Sequence, residues 1–137
     1  MIFSNKKNMN ETINLMIDEN IIDRVRECKF LGTVIDENLT WKPHISLVTS
    51  KISKSIGIMF KVRQFSTKET TKTLYYTLVY PYIHYCNVIW ANNYPTRLSR
   101  IVILQKRAVR AIAKIQYRDS TENVLKELKM LKVQEII

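Results

Sequence analysis

The sequence predicts a mainly α chain with a short antiparallel β element at its N-terminal end, an α+β class. Three observations predict it. Apolar residues alternate before Cys28 and recur every three or four positions after Ile45. Gly 2 and Pro 3 are few for 137 residues, which disfavours a turn-rich all-β fold and favours long helices. The segment between the two patterns, Asp36-Glu37-Asn38-Leu39-Thr40-Trp41-Lys42-Pro43, carries turn chemistry followed by a helix start.

Residues 1–4 read as the end of a strand and residues 5–10 as a polar loop. Ile13, Leu15 and Ile17 alternate with Asn14, Met16 and Asp18, as in a half-buried strand. Asp18-Glu19-Asn20 is a turn signal, and Ile21 to Val25 can return as the second arm of a hairpin. Cys28 to Ile35 reads as one further strand, buried over Phe30–Ile35, with Gly32 marking a bulge or a close backbone approach. Thr40 is a candidate N-cap, and Pro43 is tolerated only in a first turn.

A helix is expected over 44–63, with Ile45, Val48, Ile52, Ile56 and Met59 on one face and Lys54 and Lys61 opposite, Lys51 at the edge. Gly57 weakens that helix somewhat. Ser66-Thr67-Lys68-Glu69 has capping-box spacing and starts a second helix. Leu74, Leu78 and Tyr82 form its stripe, flanked by Tyr75 and Val79, and Pro81 should kink or break it. Residues 92–96 read as a loop. Over 97–115, Leu98, Ile101, Val102, Ala108, Val109 and Ile112 lie on one side of a helix. Arg100, Lys106, Arg107, Arg110 and Lys114 lie on the other. Asp119 or Ser120 should cap a last helix with Val124, Leu125 and Leu128 inward. Leu131, Val133, Ile136 and Ile137 begin another apolar pattern. The division expected is a β portion over 1–38 and a helical portion over 39–137, together a piece of something longer.

Net charge is +10, and its distribution matters more than its total. Residues 51–118 carry thirteen Lys and Arg against Glu69 alone, whereas the segments on either side are each close to neutral. Concentrated positive charge calls for a polyanion. A solvated basic face without a partner is the plain alternative. The candidate phosphate contacts are Lys51, Lys54, Lys61, Arg100, Lys106, Arg107, Arg110 and Lys114. Tyr75, Tyr76, Tyr80, Tyr82, Tyr85, Trp90 and Tyr94 interleave with them. Aromatics can stack on unpaired bases, although at helical spacing they more often form core, where Trp41 and Trp90 are assigned.

Other chemistries fare poorly. The adjacent acidic pairs, Asp18-Glu19 and Asp36-Glu37, both read as turns, where neighbours point apart, so neither makes a two-metal ligand set. Cys28, His44, His84 and Cys86 lack finger spacing for zinc. Gly32 and Gly57 are isolated, so no phosphate loop exists. No metal site and no cofactor are expected in this chain. Two cysteines give no disulfide framework, no signal peptide is visible, and no apolar run spans a bilayer, which leads to an expected intracellular location, cytoplasmic or nuclear, with no membrane partner.

Several stretches, in order, resemble the region that follows the catalytic palm in non-LTR retrotransposon reverse transcriptases of the jockey-like kind. They are Lys29-Phe-Leu-Gly-Thr-Val-Ile-Asp, Leu39-Thr-Trp-Lys-Pro-His-Ile, Lys51-Ile-Ser-Lys-Ser-Ile-Gly-Ile, Thr73-Leu-Tyr-Tyr-Thr-Leu-Val-Tyr-Pro-Tyr-Ile-His-Tyr-Cys, Val88-Ile-Trp and Ile103-Leu-Gln-Lys-Arg-Ala-Val-Arg. The resemblance implies that Phe30, Leu31 and Gly32 correspond to a primer-grip strand closing the palm. It implies that the following helices form a thumb-like bundle on the template–primer duplex. That family's catalytic turn, aromatic-x-Asp-Asp, has no match here. The expectation is therefore a fragment of an RNA-directed DNA polymerase that binds nucleic acid without its own catalytic centre. The parent would use Mg²⁺, and the missing palm and fingers would be this chain's partners. Two rival readings are an autonomous basic helical DNA- or RNA-binding domain and a helical protein-interaction module built on the Tyr-rich segment.

Overall fold

The computed structural model describes residues 1, 3, 15–91 and 95–137, the last segment in side-chain detail from Leu98 onward. Positions 2 and 4 of the first expected strand, the 5–10 loop, Ile13 and the 92–94 part of the later loop lie outside the described residues. The chain divides into two compact units, Met1–His44 and Ile45–Ile137. The fold class is as the sequence predicts: helices dominate, and the strands form two small antiparallel sheets near the N-terminal end.

In the first unit, β1 (Leu15–Ile17) pairs with β2 (Asn20–Ile22) in the register Leu15 opposite Ile22 and Ile17 opposite Asn20. Two residues, Asp18 and Glu19, make the turn, both with positive φ (45° and 66°), the sign a type I′ hairpin requires at both positions. The second arm is shorter than the expected 21–25, and the expected half-burial is not found. Every residue of the ribbon is exposed, because two strands alone supply no second layer to cover either face.

The expected single strand over Cys28–Ile35 is a hairpin. β3 (Glu27–Phe30) pairs with β4 (Thr33–Asp36), Phe30 opposite Thr33 and Glu27 opposite Asp36. Gly32 is no bulge: with Leu31 it forms the turn, at φ 83° and 45°. This places Phe30 and Leu31 at an exposed tip instead of in a buried strand. The Asp36 carboxylate then accepts hydrogen bonds from the amides of Thr40 (3.0 Å) and Trp41 (2.9 Å). Burial pushes this carboxyl up, but those bonds outweigh it and hold its pKa below the ordinary value. Thr40, the expected N-cap, lies two residues before the helix, its Oγ1 3.4 Å from the Lys42 amide. Trp41 is half-buried.

The second unit is helical. α1 (Lys42–Val62) starts within the first unit and has Pro43 in its first turn. Ile45, Val48, Ile52, Ile56 and Met59 are all buried, as the periodicity predicts. α2 (Lys68–Leu78) is capped by Thr67, one residue later than the Ser66 of the expected box, with Thr67 Oγ1 accepting from the Thr70 amide. Its buried line is Thr71, Tyr75 and Val79; Leu74, Leu78 and Tyr82 are only half-buried, so the stripe is rotated from the one expected. Pro81 breaks the pattern: α3 (Tyr80–His84) opens with it in the first turn. Cys86, at φ 51°, separates α3 from α4 (Asn87–Trp90), whose Trp90 is fully buried.

α5 (Pro95–Ala113) begins two residues before the expected start, with Pro95 and Thr96 helical instead of in a loop. It packs on α2, on α6 (Glu122–Glu127) and on α7 (Val133–Ile136). Ile101, Ala108, Val109 and Ile112 are its buried residues among those expected. Buried Gln105 ties the C-terminal segment down. Its Nε2 donates to Tyr75 Oη (3.0 Å) and to the Leu131 carbonyl (2.8 Å), and its Oε1 accepts from the Val133 amide (2.9 Å). Lys72 Nζ donates to the Leu128 carbonyl and Asn87 Nδ2 to the Ile136 carbonyl, so three side chains hold backbone groups of 128–136.

Candidate nucleic-acid interface

The helical unit carries the basic charge because its apolar periodicity leaves most of the intervening Lys and Arg residues on the outer faces. On α1, Lys51, Lys54 and Lys61 are exposed. Lys54 and Lys61 are seven residues apart and share a line along the helix. Lys51 Nζ lies over the Tyr82 ring, 5.2 Å from its centroid, a cation–π contact that also fixes its position. On α5, Arg100, Lys106 and Arg107 are exposed. Arg110 is half-buried against the Tyr117 ring (5.1 Å), with its Nε buried and donating to no acceptor.

Lys114 departs from the expected line. The helix ends at Ala113, Lys114 turns into the left-handed region (φ 57°), and its Nζ donates to the Ser66 carbonyl (2.8 Å). Lys114 is thus exposed beyond the end of the helix, while Arg100 and Arg107 remain on it. Arg63, not among the expected contacts, rests on the Phe60 ring (4.7 Å).

The structure brings Arg100 together with a part of α1 that charge alone did not single out. Ser46, Thr49, Ser50 and Ser53 of α1 and Arg100, Ile103 and Leu104 of α5 line one open groove of about 390 Å³. The signal was present in the sequence as hydroxyl residues recurring at three- and four-residue intervals. No carboxylate lines the groove.

The aromatic residues sort into two groups. Tyr75 and Trp90 are core; burial pushes the Tyr75 phenol up to about 12, against the hydrogen bond from Gln105. Tyr76, Tyr80 and His84 form a ladder with ring centroids 5.5 Å apart along α2 and α3, Tyr76 and His84 being exposed. Tyr94 lies outside the described residues.

Phe30, Leu31 and Gly32 occupy the tip of the β3–β4 hairpin in the other unit, Leu31 being 75% exposed. The acidic pairs are committed elsewhere or open. Asp18 and Glu19 form the first hairpin turn, Asp36 caps the 36–41 turn, and Glu37 pairs with Arg24 at 3.2 Å. Among the described residues, no three His, Cys, Asp or Glu side chains gather as a metal-ligand group, and no helix is long and apolar enough to cross a membrane.

Comparison with known proteins bears on what these helices belong to. The probable RNA-directed DNA polymerase from transposon BS of Drosophila melanogaster is 29% identical over 123 residues, covering 85% of this chain. The RNA-directed DNA polymerase from mobile element jockey of Drosophila funebris is 24% identical over 121 residues, again covering 85% of this chain. The chain is similar to the RNA-directed DNA polymerases of non-LTR mobile elements. It spans only 13% of the length of either relative. No protein-family model and no solved structure gives a significant match.

Proposed function

We propose that this chain is a segment of a mobile-element RNA-directed DNA polymerase and that its helical unit binds the template–primer through phosphate contacts, without a catalytic centre of its own. On this reading residues 1–38 belong to the end of a palm, 39–137 to a thumb-like region, and Phe30–Gly32 lie near the primer. The remainder of the palm, the fingers and the Mg²⁺ ligands belong to the rest of the parent polypeptide. One observation carries the nucleic-acid part: Lys54 and Lys61 on α1 and Arg100 and Arg107 on α5 stand exposed in a segment, 51–118, whose single acid is Glu69. Arginine suits phosphate because its planar fork can bond two oxygens.

The test is fluorescence anisotropy with a labelled RNA–DNA hybrid carrying a recessed 3′ end, titrated across salt concentrations. Five or six phosphate contacts give a slope of log K against log salt of about −4 to −5. Replacing Lys54, Arg100 and Arg107 by Gln should flatten that slope by about two to three units. The same preparation should extend no primer when given Mg²⁺ and deoxynucleotides, since among the described residues no metal-ligand group of acidic side chains gathers. Absence of salt-sensitive binding overturns the binding reading; template-dependent extension by the purified chain overturns the non-catalytic one.

A further inference from the structure

Resting on that reading, we propose that the groove between α1 and α5 seats the sugar–phosphate backbone of one nucleic-acid strand, with Arg100 bonding a phosphate and the Ser46, Ser50 and Ser53 hydroxyls bonding backbone oxygens beside it. At about 390 Å³ the groove holds roughly a dozen waters' worth of volume, room for a phosphate with its sugar and not merely for one ion. Its chemistry is that of a polyanion's seat. One guanidinium and several hydroxyls line it, and no carboxylate does. The Thr49 hydroxyl is spent on the Ile45 and Ser46 carbonyls within its own helix, whereas Arg100 and the three serine hydroxyls have no partner among the described residues. Exposed Ile103 offers an apolar contact of the kind a sugar ring accepts.

Gly57 points the same way. Positions 46, 50, 53 and 57 fall on one line of α1 at helical spacing. A Cβ at Gly57 would meet nothing within 4 Å, so the protein's own packing does not call for glycine there. Glycine in a helix interior nonetheless destabilises the helix relative to alanine. A bare position on the continuation of the serine line keeps the surface low where another backbone comes close. From Ser46 to Gly57 the helix rises about 16 Å, the length of four or five stacked nucleotides on one strand. Lys54, next to Ser53 in the chain, and Arg107, two turns along α5 from Arg100, are exposed and add to the positive field of the two helices.

The experiment uses the full chain and the same labelled hybrid, first at one low salt concentration and then across a salt series. Ser53→Glu puts a like charge against the strand and should weaken binding roughly tenfold; Arg100→Gln should do the same and lower the salt slope by about one unit. Arg100→Lys, which keeps the charge but loses the fork, should recover part of the affinity. Lys126→Gln on α6 serves as the reference and should stay within about twofold. Circular dichroism establishes that each variant is folded, and Ser53 is exposed on its helix, where Glu is a good helix former. Wild-type binding that is salt-sensitive but indifferent to Ser53→Glu and Arg100→Gln overturns the groove while leaving the phosphate-binding surface standing. A wild-type chain that does not bind the hybrid removes both.

Discussion

Asp36 shows how much one side chain can organise. Its carboxylate takes the amides of Thr40 and Trp41, and between them Leu39 and Trp41 sit at positive φ (50° and 59°), a conformation that costs a bulky residue about 1–2 kcal/mol. The bonds to Asp36 hold that strained turn at the point where the second hairpin gives way to α1. Because the folded pKa is lowered, the stabilisation is fully present above the ordinary carboxylate value near 4 and is lost as pH falls through the folded value. Amide-exchange protection factors at Thr40 and Trp41 should therefore drop below about pH 4. In Asp36→Asn they should be lower at neutral pH and nearly flat with acidification. Protection at Trp41 that ignores both pH and the substitution would show that the carboxylate does not hold the turn. Turn chemistry at 36–38 was legible in the sequence, but the reach of Asp36 to residues four and five positions on was not. Gln105 was missed for a different reason. A polar residue in a basic helix reads as surface, yet it lies four after Ile101 and seven before Ile112, inside the buried arc. Two of its three hydrogen bonds depend on the return of residues 131–133 and the third on Tyr75 of α2, tertiary arrangements that helical periodicity does not encode.

Elements were legible where one period dominated. The five inward residues of α1 could be named from spacing alone, because a 21-residue amphipathic pattern leaves only one face to bury. The hairpin at Leu31–Gly32 was hidden, because a type I′ turn ordinarily advertises itself by Asn-Gly or Asp-Gly, and leucine is a poor choice at φ 45°. The end of α5 was hidden likewise: Lys114 takes the left-handed position that glycine usually marks, so the basic row looked one member longer. These misfits predict their own remedy. Leu31→Asn should strengthen the β3–β4 hairpin by about 0.5–1 kcal/mol, read as slower exchange of its cross-strand amides, since Asn tolerates the left-handed region and Leu31 is 75% exposed with little burial to lose. Gly32→Ala, at φ 83°, should act oppositely. Faster exchange in Leu31→Asn would mean that leucine makes contacts which outweigh the turn.

At the scale of the whole molecule the two units differ in what holds them. In Ile45–Ile137, fully buried side chains from six helices, among them Ile52, Tyr75, Ile83, Trp90, Ile101, Ile112 and Val133, share a core, and Gln105, Lys72 and Asn87 bind the C-terminal backbone to it. In Met1–His44 the described strands make two separate two-stranded ribbons, the first exposed on both faces. Such ribbons are at best marginal in water, because their cross-strand hydrogen bonds are not backed by apolar burial. Local opening should therefore cost far less in the ribbons than in the helical core. Native-state hydrogen exchange should find the amides of 15–22 nearly unprotected and those of 27–36 intermediate. The central turns of α1 and α5 should exchange only through the largest openings. The same ordering should appear as early proteolytic cuts ahead of Lys42 that leave a resistant helical fragment. Equal protection throughout would mean that the ribbons are stabilised by burial these exposures do not reveal. If the ribbons instead gain protection only when the upstream part of a related polymerase is added in trans, the exposed Leu15, Ile17, Ile21 and Phe30 are surfaces that the parent polypeptide covers.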